Sequence, residues 1–288
     1  MKKVNVIGLG YIGLPTATTL SDHGFDVHGV DTNEKVVLKL SSGKVHIIEK
    51  NLDELFIKVT ESKSLTFSST PSESDVFIIT VPTPLHSDNS PNTDYIFEAA
   101  KRIAPFVKNN NLIILESTSP VGTTEKLKNF ILKYNGDLKE IYVAHCPERV
   151  LPGNILNELI QNNRVVGGVD EVSTQKAVVF YKNFVKGKII PTTSQTAEMV
   201  KLTENSYRDV NIAFANELSI ICDKLDIDVN NLIEFSNKHP RVNILHPGPG
   251  VGGHCIAVDP WFIINQDKKN SKLIRTAREV NSDKENWV

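Results

Sequence analysis

Cysteine is scarce in this sequence, and its three cysteines, Cys146, Cys222 and Cys255, lie far apart among 288 residues. They form neither the ladder of a disulfide-rich secreted domain nor a paired CxxC site, so no metal is predicted. The amino terminus lacks the layout of a signal peptide, because a strand pattern begins within the first residues. These absences favour a reducing compartment, and we expect a cytoplasmic protein.

The sequence also lacks a charge surplus and any long apolar run. Its formal net charge is -2 and it has no polybasic stretch, so neither nucleic acid nor a membrane surface is an expected partner. No apolar run reaches the roughly 20 residues of a membrane span. The hydrophobic fraction of 40% is typical of a soluble globular protein, and a chain of this length favours about two domains.

A glycine-rich turn follows the first predicted strand. Residues 3–8 have the pattern of a short buried strand, and Gly8-Leu-Gly10-Tyr-Ile-Gly13 leads from it into a helical pattern. GxGxxG between a strand and a helix is the fingerprint of a dinucleotide site. The first glycine makes the turn, the second admits the pyrophosphate, and the third lets helix and strand pack closely. Gly8, Gly10 and Gly13 are therefore candidate cofactor-binding residues.

An acidic residue follows the second predicted strand. Residues 26–30 form that strand, and Asp31 comes directly after it. A carboxylate at this place binds the adenosine ribose hydroxyls in dinucleotide-binding folds. It would repel a 2′-phosphate, so we expect NAD rather than NADP.

Strand and helix patterns alternate along the first two thirds of the chain. Further strands are predicted at residues 65–68, 75–81, 112–115, 141–144, 164–168 and 188–191. This alternation predicts an α/β fold, a Rossmann-like doubly wound parallel sheet over residues 1–192. The pattern is helical afterwards, which predicts a second, helical domain over residues 193–288.

Polar residues follow three of the predicted strands. Thr83 lies in a Pro-Thr-Pro turn and is a candidate cofactor contact, with a plain strand-ending turn as the alternative. Thr118 follows the next strand, and Glu148 and Arg149 follow the one after it. Because ligands bind at the carboxyl ends of parallel strands, we expect these side chains at one edge of the sheet. A surface ion pair is the alternative for Glu148 and Arg149.

One long helix opens the second half. Residues 196–222 contain neither glycine nor proline, and Lys201, Asn205 and Arg208 share one helical face. Such a face can bind an anionic or hydroxyl-rich ligand, although a solvated charged face is the more common explanation. A helix of this length, residues 194–222, is also a candidate homodimer interface.

A second glycine-rich stretch surrounds the last cysteine. Gly248, Gly250, Gly252 and Gly253 precede Cys255 within eight residues. Glycine lets backbone approach a ligand closely, so the loop is suited to presenting a thiol. The alternative is a glycine-rich turn before a buried strand, with Cys255 as a small apolar side chain.

Taken together, these motifs resemble the UDP-glucose/GDP-mannose dehydrogenase family. The resemblance rests on Gly8-x-Gly-Tyr-x-Gly-Leu-Pro, Glu-Ser-Thr118, Pro147-Glu-Arg-Val-Leu-Pro-Gly, Lys201-x-x-x-Asn205 and Gly252-Gly-His-Cys255-x-x-x-Asp259-Pro. It covers essentially the whole chain. It implies NAD-dependent oxidation of the C6 hydroxyl of a nucleotide sugar to a carboxylate, for surface polysaccharide precursors. The amino-acid sequence of several stretches is most similar to family members that act on UDP-N-acetyl-D-mannosamine, with UDP-glucose and UDP-N-acetylglucosamine as alternative substrates.

The resemblance also implies residue roles. Cys255 would trap the aldehyde as a thiohemiacetal that is oxidised to a thioester. The other implied catalytic residues are Lys201, Asn205, Asp259, Thr118 and Glu148. NAD contacts would come from Tyr11, Ile12, Asp31, Thr83 and Thr118, in addition to the glycines of the first turn. The UDP-sugar would be bound by Arg149, Val150, Lys201, Asn205, Arg208, His239, Arg241 and Gly252. Cys146 and Cys222 are predicted to be buried structural thiols.

One departure from the family concerns the end of the chain. Members carry a third, UDP-binding domain, and this sequence ends at Val288, where that domain would begin. We therefore expect that domain to be absent from this chain. A non-catalytic, dimeric NAD-binding module is the resulting alternative function.

Overall fold

The computed structural model describes residues 2–253 and 255–288. The chain divides into two compact units. The first contains the residues up to Thr83 together with Asn92–Met199, and the second contains Pro84–Pro91 together with Val200–Val288. This grouping differs in two ways from the predicted division after residue 192. Residues 193–199 belong to the first unit, and the short segment Pro84–Pro91 belongs to the second.

The first unit contains an eight-stranded sheet. Its strands are β1 (Lys3–Ile7), β2 (Asp26–Val30), β3 (Leu65–Ser68), β4 (Val76–Ile79), β5 (Leu112–Leu115), β6 (Tyr142–His145), β7 (Arg164–Gly168) and β8 (Ile189–Thr193). Their order is β3-β2-β1-β4-β5-β6-β7-β8. The order places β1 at the centre with crossovers to both sides, which confirms the predicted doubly wound α/β sheet.

One strand pair departs from the predicted all-parallel arrangement. β6 and β7 are antiparallel, with Ala144 opposite Gly168, whereas β7 and β8 run parallel to each other. Because β7 runs in the opposite direction, its first residue, Arg164, lies at the edge of the sheet at which β1 to β6 end.

Helices cover the sheet and build the second unit. They are α1 (Gly13–Asp22), α2 (Glu34–Ser41), α3 (Leu52–Glu61), α4 (Asp94–Ile103), α5 (Thr123–Tyr134), α6 (Ile155–Gln161), α7 (Glu171–Tyr181), α8 (Ser194–Lys224), α9 (Val229–Ser236), α10 (Asp259–Gln266) and α11 (Lys272–Trp287). Two of these helices, α6 and α10, were not predicted from the sequence. The alternative in which a buried strand follows the cysteine loop is wrong, because Asp259 and Pro260 begin a helix there.

The apolar core of the first unit lies on both faces of the sheet. The side chains of β1 point to both faces of the sheet. Val4 and Val6 pack in a cluster with α1 and α3, whereas Ile7 packs in a cluster with α4 and α5. This alternation follows from the two-residue period of a strand. Within the described residues, no helix is both long and apolar enough to cross a membrane.

Candidate active site

The first glycine-rich turn has the geometry of a dinucleotide site. Gly8 has a φ of 94°, a conformation that side chains disfavour, and its N–H donates to Val30 O over 2.8 Å. Thr80 Oγ1 donates to Gly8 O over 2.7 Å. A Cβ at Gly13 would lie 1.8 Å from Gly8 O, so only glycine fits where α1 meets the turn.

Open space remains at the amino terminus of α1. A Cβ built on Gly10 meets nothing within 4 Å, and no side chain caps the helix at Ile12. Uncapped N–H groups and the helix dipole together favour an anion at such a position. The space is therefore suited to a pyrophosphate group.

Asp31 lies beside this turn and binds its backbone. Asp31 Oδ2 accepts the Leu9 N–H over 2.8 Å, and Oδ1 accepts the Asn33 N–H over 2.8 Å. Each carboxylate oxygen has a second lone pair, so the group can also accept ribose hydroxyls. Together with the open space at Gly10, this donor and acceptor set fits NAD.

The remaining predicted cofactor residues occupy different positions in the first unit. The Tyr11 hydroxyl donates to Ile48 O over 2.9 Å, which ties the turn to the loop before α3. Ile12, Thr83 and Thr118 are half-buried. The structure places Thr118 after β5 and Thr83 after β4, at the predicted edge of the sheet.

A buried cluster of charges lies where β5 and β6 end. Arg164 Nη2 is 3.3 Å from Glu148 Oε2, and Arg164 Nη1 is 3.8 Å from Glu116 Oε1. The Tyr181 hydroxyl donates to Glu116 Oε1 over 2.6 Å, and the guanidinium lies over the Tyr181 ring. Glu148 is thus held by a buried cation, which argues against the alternative of a surface ion pair with Arg149.

Burial changes the acid–base properties of this cluster. It raises the pKa of Glu116 to about 7, a shift that Glu148 reinforces and that Arg164 and the Tyr181 hydrogen bond oppose. Burial also lowers the pKa of His145 to about 3, so this side chain is neutral at physiological pH. The Arg164 guanidinium lies within 4 Å of both carboxylates, and Glu116 protonates near neutral pH.

Two further carboxylates fix the loops at this edge. Glu198 accepts N–H groups of Gly122 and Thr124, over 2.6 and 2.7 Å, and thereby caps α5. Glu49 accepts N–H groups of Gly153 and Ile155, over 2.8 and 3.0 Å, at the start of α6. These contacts anchor the loops that follow Thr118 and Glu148. Arg149 and Val150, on the second of these loops, are half-buried.

In the second unit, α8 and α10 bring two predicted catalytic residues together. Asn205 Nδ2 donates to Asp259 Oδ2 over 2.5 Å, and both side chains are buried. Burial raises the pKa of Asp259 to about 6, although the Asn205 hydrogen bond and the charge of Lys201 act in the opposite direction. Lys201 is half-buried one turn before Asn205, whereas Arg208 is exposed. The predicted polar face of α8 is thus half-buried at Lys201, buried at Asn205 and exposed at Arg208.

Cys255 is exposed, whereas Cys146 and Cys222 are buried, as predicted for structural thiols. Cys255 O accepts the N–H groups of Val258, over 3.0 Å, and Asp259, over 2.8 Å. This turn fixes the cysteine backbone directly to the start of α10. The exposure of Cys255 argues against the alternative in which it is a small buried apolar residue.

Three predicted substrate-binding residues lie in the exposed segment that joins α9 to α10. His239 and Arg241 are exposed, and the Arg241 N–H donates to His239 Nδ1 over 3.3 Å. Gly252 is exposed, and a Cβ built on it meets nothing within 4 Å. Their roles stay predictions. His254, within the cysteine loop, lies outside the described residues.

Sequence reasoning missed Arg164, Tyr181, Glu198 and Glu49. In the sequence, Arg164 was identified only as the first residue of the strand predicted at residues 164–168. A charged residue at the first position of an otherwise apolar strand is a weak signal of a buried ion pair, because a buried charge needs a partner. The partners lie far away in the sequence, so the pairing itself had no local signature.

Comparisons with known proteins show similarity to one family along almost the whole chain. The NAD binding domain model of the UDP-glucose/GDP-mannose dehydrogenase family matches residues 2–185, and the central domain model of that family matches residues 195–283. UDP-N-acetyl-D-mannosamine dehydrogenase of Campylobacter jejuni is 54% identical over 296 residues, which cover 99% of this chain and 73% of that protein. NDP-N-acetyl-D-galactosaminuronic acid dehydrogenase of Ralstonia solanacearum is 50% identical, covering 100% of this chain and 70% of that protein. The solved structure of UDP-D-ManNAc dehydrogenase from Pyrococcus horikoshii superimposes with a TM-score of 0.94 at 43% identity, covering 99% of this chain and 69% of that one.

Proposed function

The chain belongs to the UDP-glucose/GDP-mannose dehydrogenase family, and we propose that it oxidises the C6 hydroxyl of UDP-N-acetyl-D-mannosamine to a carboxylate. The observation that carries this proposal is the exposed thiol of Cys255 on a loop joined through Asp259 to Asn205. An alcohol dehydrogenase that stops at the aldehyde has no need of such a thiol.

NAD⁺, when bound, supplies the hydride acceptor for both oxidations. The residues that we assign to holding it are Gly8, Gly10, Tyr11, Ile12, Gly13, Asp31, Thr83 and Thr118. The uncapped start of α1 favours the pyrophosphate, and the Asp31 carboxylate favours ribose hydroxyls over a 2′-phosphate. We therefore assign NAD, rather than NADP, to this chain.

The thiol gives the intermediate a covalent attachment. The Cys255 thiol loses its proton as its sulfur bonds to the aldehyde carbon, and the carbonyl oxygen becomes an oxyanion that takes up a proton to give the thiohemiacetal. We assign stabilisation of that oxyanion to the Lys201 ammonium and the Asn205 amide. After the second oxidation the group is a thioester, and water cleaves the carbon–sulfur bond to give the carboxylate and the free thiol.

Asp259 is the group that we assign to the water step. Its pKa of about 6 leaves it ionised at neutral pH and able to accept the proton that water loses. Thr118 and Glu148, at the ends of neighbouring strands, are assigned to proton transfer through bound water. Arg149, Val150, Arg208, His239, Arg241 and Gly252 are assigned to the nucleotide sugar.

The identity of the sugar rests on the relatives at 54% and 43% identity that are named for N-acetylmannosamine. The relative at 50% identity named for N-acetylgalactosaminuronic acid favours a galacto-configured sugar as the second candidate. UDP-glucose and UDP-N-acetylglucosamine remain alternatives. All four share the oxidised carbon, so the chemistry at Cys255 does not distinguish them.

A panel of these UDP-sugars with NAD⁺ tests the proposal, with NADH formation followed by absorbance. We expect the highest kcat/KM for UDP-N-acetyl-D-mannosamine. UDP-N-acetylglucosamine is the matched control, because it differs only in the configuration at C2. A preference for the galacto sugar would transfer the proposal to that substrate, and NAD binding without turnover of any sugar would support the non-catalytic module.

We also propose that the chain forms a homodimer through α8. Three apolar side chains on that helix and one directly after it are between 45% and 70% exposed, namely Tyr207, Phe214 and Ile221 on the helix and Leu225 after its end. Their spacing of seven, seven and four residues is that of one helical face, and an exposed apolar stripe of this kind favours burial against a second copy. A cytoplasmic location suits the free thiols and the expected cofactor.

Light scattering after gel filtration tests the dimer. Phe214→Glu places a charge in the middle of the stripe, so it should convert dimers into monomers. Leu38→Glu is the control, because Leu38 is a 69% exposed apolar side chain that belongs to α2 and not to α8. Monomeric wild-type protein would contradict the proposal.

A further inference from the structure

A network of four buried polar side chains joins α8 to α11. Arg278 Nη1 is 3.3 Å from Asp209 Oδ1, with these side chains 2% and 0% exposed. Asn281 Nδ2 donates to Asp209 Oδ1 over 2.8 Å, and Asn216 Nδ2 donates to Asn281 Oδ1 over 2.8 Å. Burying a charged pair and two amides is costly unless each group is bonded, so this arrangement calls for a specific reason.

Both ends of the network reach the backbone of the cysteine loop. Asn216 Oδ1 accepts the N–H of Gly248, over 2.8 Å, at the start of the loop. Arg278 Nη1 donates to Ile256 O, over 3.2 Å, directly after Cys255. The two backbone groups that flank the thiol are therefore bonded to one continuous set of side chains.

The loop also touches α11 between these two points. Gly250 has a φ of 142°, and a Cβ there would lie 2.8 Å from Glu285 Cγ and 3.3 Å from Asn281 O. The backbone of the loop thus lies directly on the helix that carries Arg278. Three contacts along a glycine-rich loop restrict a backbone that would otherwise have many conformations.

α8, at the other end of the network, also carries the groups assigned to the oxyanion. Asp209 lies one turn after Asn205 on α8, and Asn205 bonds to Asp259 at the start of α10. Asp259 in turn bonds to Cys255 O through its N–H. Hydrogen bonds that start on α8 therefore lead through Asp259 to Cys255 O and through Asn216 to the Gly248 N–H.

We propose that Asp209, Asn216, Arg278 and Asn281 are positioning residues that hold the cysteine loop in the conformation in which Cys255 reacts. None of the four needs to touch substrate or cofactor. The proposal rests on the proposed function for its catalytic consequence only. The restraint of the loop is a property of this chain's fold and can be measured without any substrate.

Hydrogen exchange with peptide-level mass spectrometry tests the restraint in Asn216→Ala and Arg278→Met. Ser219→Ala is the matched control, because Ser219 Oγ accepts a hydrogen bond from Lys284 Nζ, over 2.8 Å, and so links α8 to α11 without a bond to the loop. We expect the loop peptide to exchange about tenfold faster in Asn216→Ala than in wild type or the control, since one hydrogen bond is lost at Gly248. Arg278→Met should produce the same effect at the Ile256 end.

Turnover gives the second readout. If the chain oxidises a UDP-sugar, kcat should fall on the order of tenfold to a hundredfold in the two loop variants, while NAD affinity stays at the wild-type value. A role confined to stability would lower the melting temperature of all three variants and leave kcat and loop exchange unchanged well below melting. That outcome would overturn the proposal.

The two readouts separate this proposal from the proposed function. Faster loop exchange in a chain that oxidises no UDP-sugar would support the restraint and count against the enzyme. Normal loop exchange in an active enzyme would refute the restraint alone. Should Arg278→Met fail to fold, because Asp209 is left buried without its cation, Asn216→Ala decides the question.

Discussion

Two glycines of the first turn provide a prediction that separates folding from cofactor binding. A Cβ at Gly13 would lie 1.8 Å from Gly8 O and 2.5 Å from Thr80 Oγ1. Gly8 O is a backbone atom bonded to the Thr80 hydroxyl, so it cannot move without disturbing β1 and β4. A Cβ at Gly10 meets nothing within 4 Å, so Gly10→Ala leaves the packing of the protein intact.

The magnitude follows from this geometry. Overpacking typically costs 1–3 kcal/mol, and a clash with backbone belongs at the upper end, so we expect Gly13→Ala to lose about 3 kcal/mol of stability. For a unit of this size that corresponds to a fall of about 6–12 °C in melting temperature. Gly10→Ala should melt within about 2 °C of wild type, because exposed sites without contacts change stability little.

Thermal unfolding followed by circular dichroism and NAD titration by calorimetry together check both variants. Gly10→Ala should weaken NAD binding by about tenfold or more, because its methyl group occupies the space left for the pyrophosphate. Gly13→Ala should weaken NAD binding as a consequence of lost structure. A Gly13→Ala protein that melts with the wild type, or a Gly10→Ala protein that binds NAD normally, would refute this explanation of the turn.

Three further variants test the charged groups. Burial raises the pKa of Glu116 to about 7, so the folded protein binds this proton more tightly than the unfolded chain does. The free energy of unfolding should therefore fall as the pH rises from about 4.5 to 7. Glu116→Gln should remove about 3 kcal/mol of that fall, which denaturant titrations at several pH values would measure. Asp259, with a pKa of about 6, must be ionised to act as a base, so kcat should fall as the pH drops below about 6. Asp259→Asn should lower kcat about a hundredfold and abolish this pH dependence. An unchanged pH profile of kcat in the variant would exclude Asp259 as the base. Asp31→Ser should lose the preference for NAD over NADP and bind NAD about tenfold more weakly, which titration with both cofactors would measure.

Local patterns were sufficient to predict most of the fold. The apolar runs of β1, β4 and β5 lie between turn residues, and α8 has no internal glycine or proline, so each had a clear signature. The direction of β7 had none, because a strand has the same pattern in either orientation. α6 and α10 were missed although both carried signals, an apolar pair repeated after four residues in α6 and Pro260 in the first turn of α10.

Some residues of the candidate site could be predicted from the sequence and others could not. Motifs and resemblance pointed to Gly8, Asp31, Asn205, Asp259 and Cys255, and the structure pairs Asn205 with Asp259 and leaves Cys255 exposed. The ion pairs that surround these residues were not predictable. Arg164 and Arg278 are separated in sequence from the carboxylates that they pair with, and a charge that will be buried has the same letter as a solvated one.

The decisive experiment counts the NADH formed per UDP-N-acetyl-D-mannosamine consumed, in wild type and in Cys255→Ser. We expect two NADH per sugar and a carboxylate product for the wild type, because the thioester route completes both oxidations. We expect Cys255→Ser to bind NAD normally but to form no net carboxylate. One NADH per sugar with an aldehyde product from the wild type, or normal carboxylate formation by Cys255→Ser, would contradict the claim that Cys255 carries the intermediate.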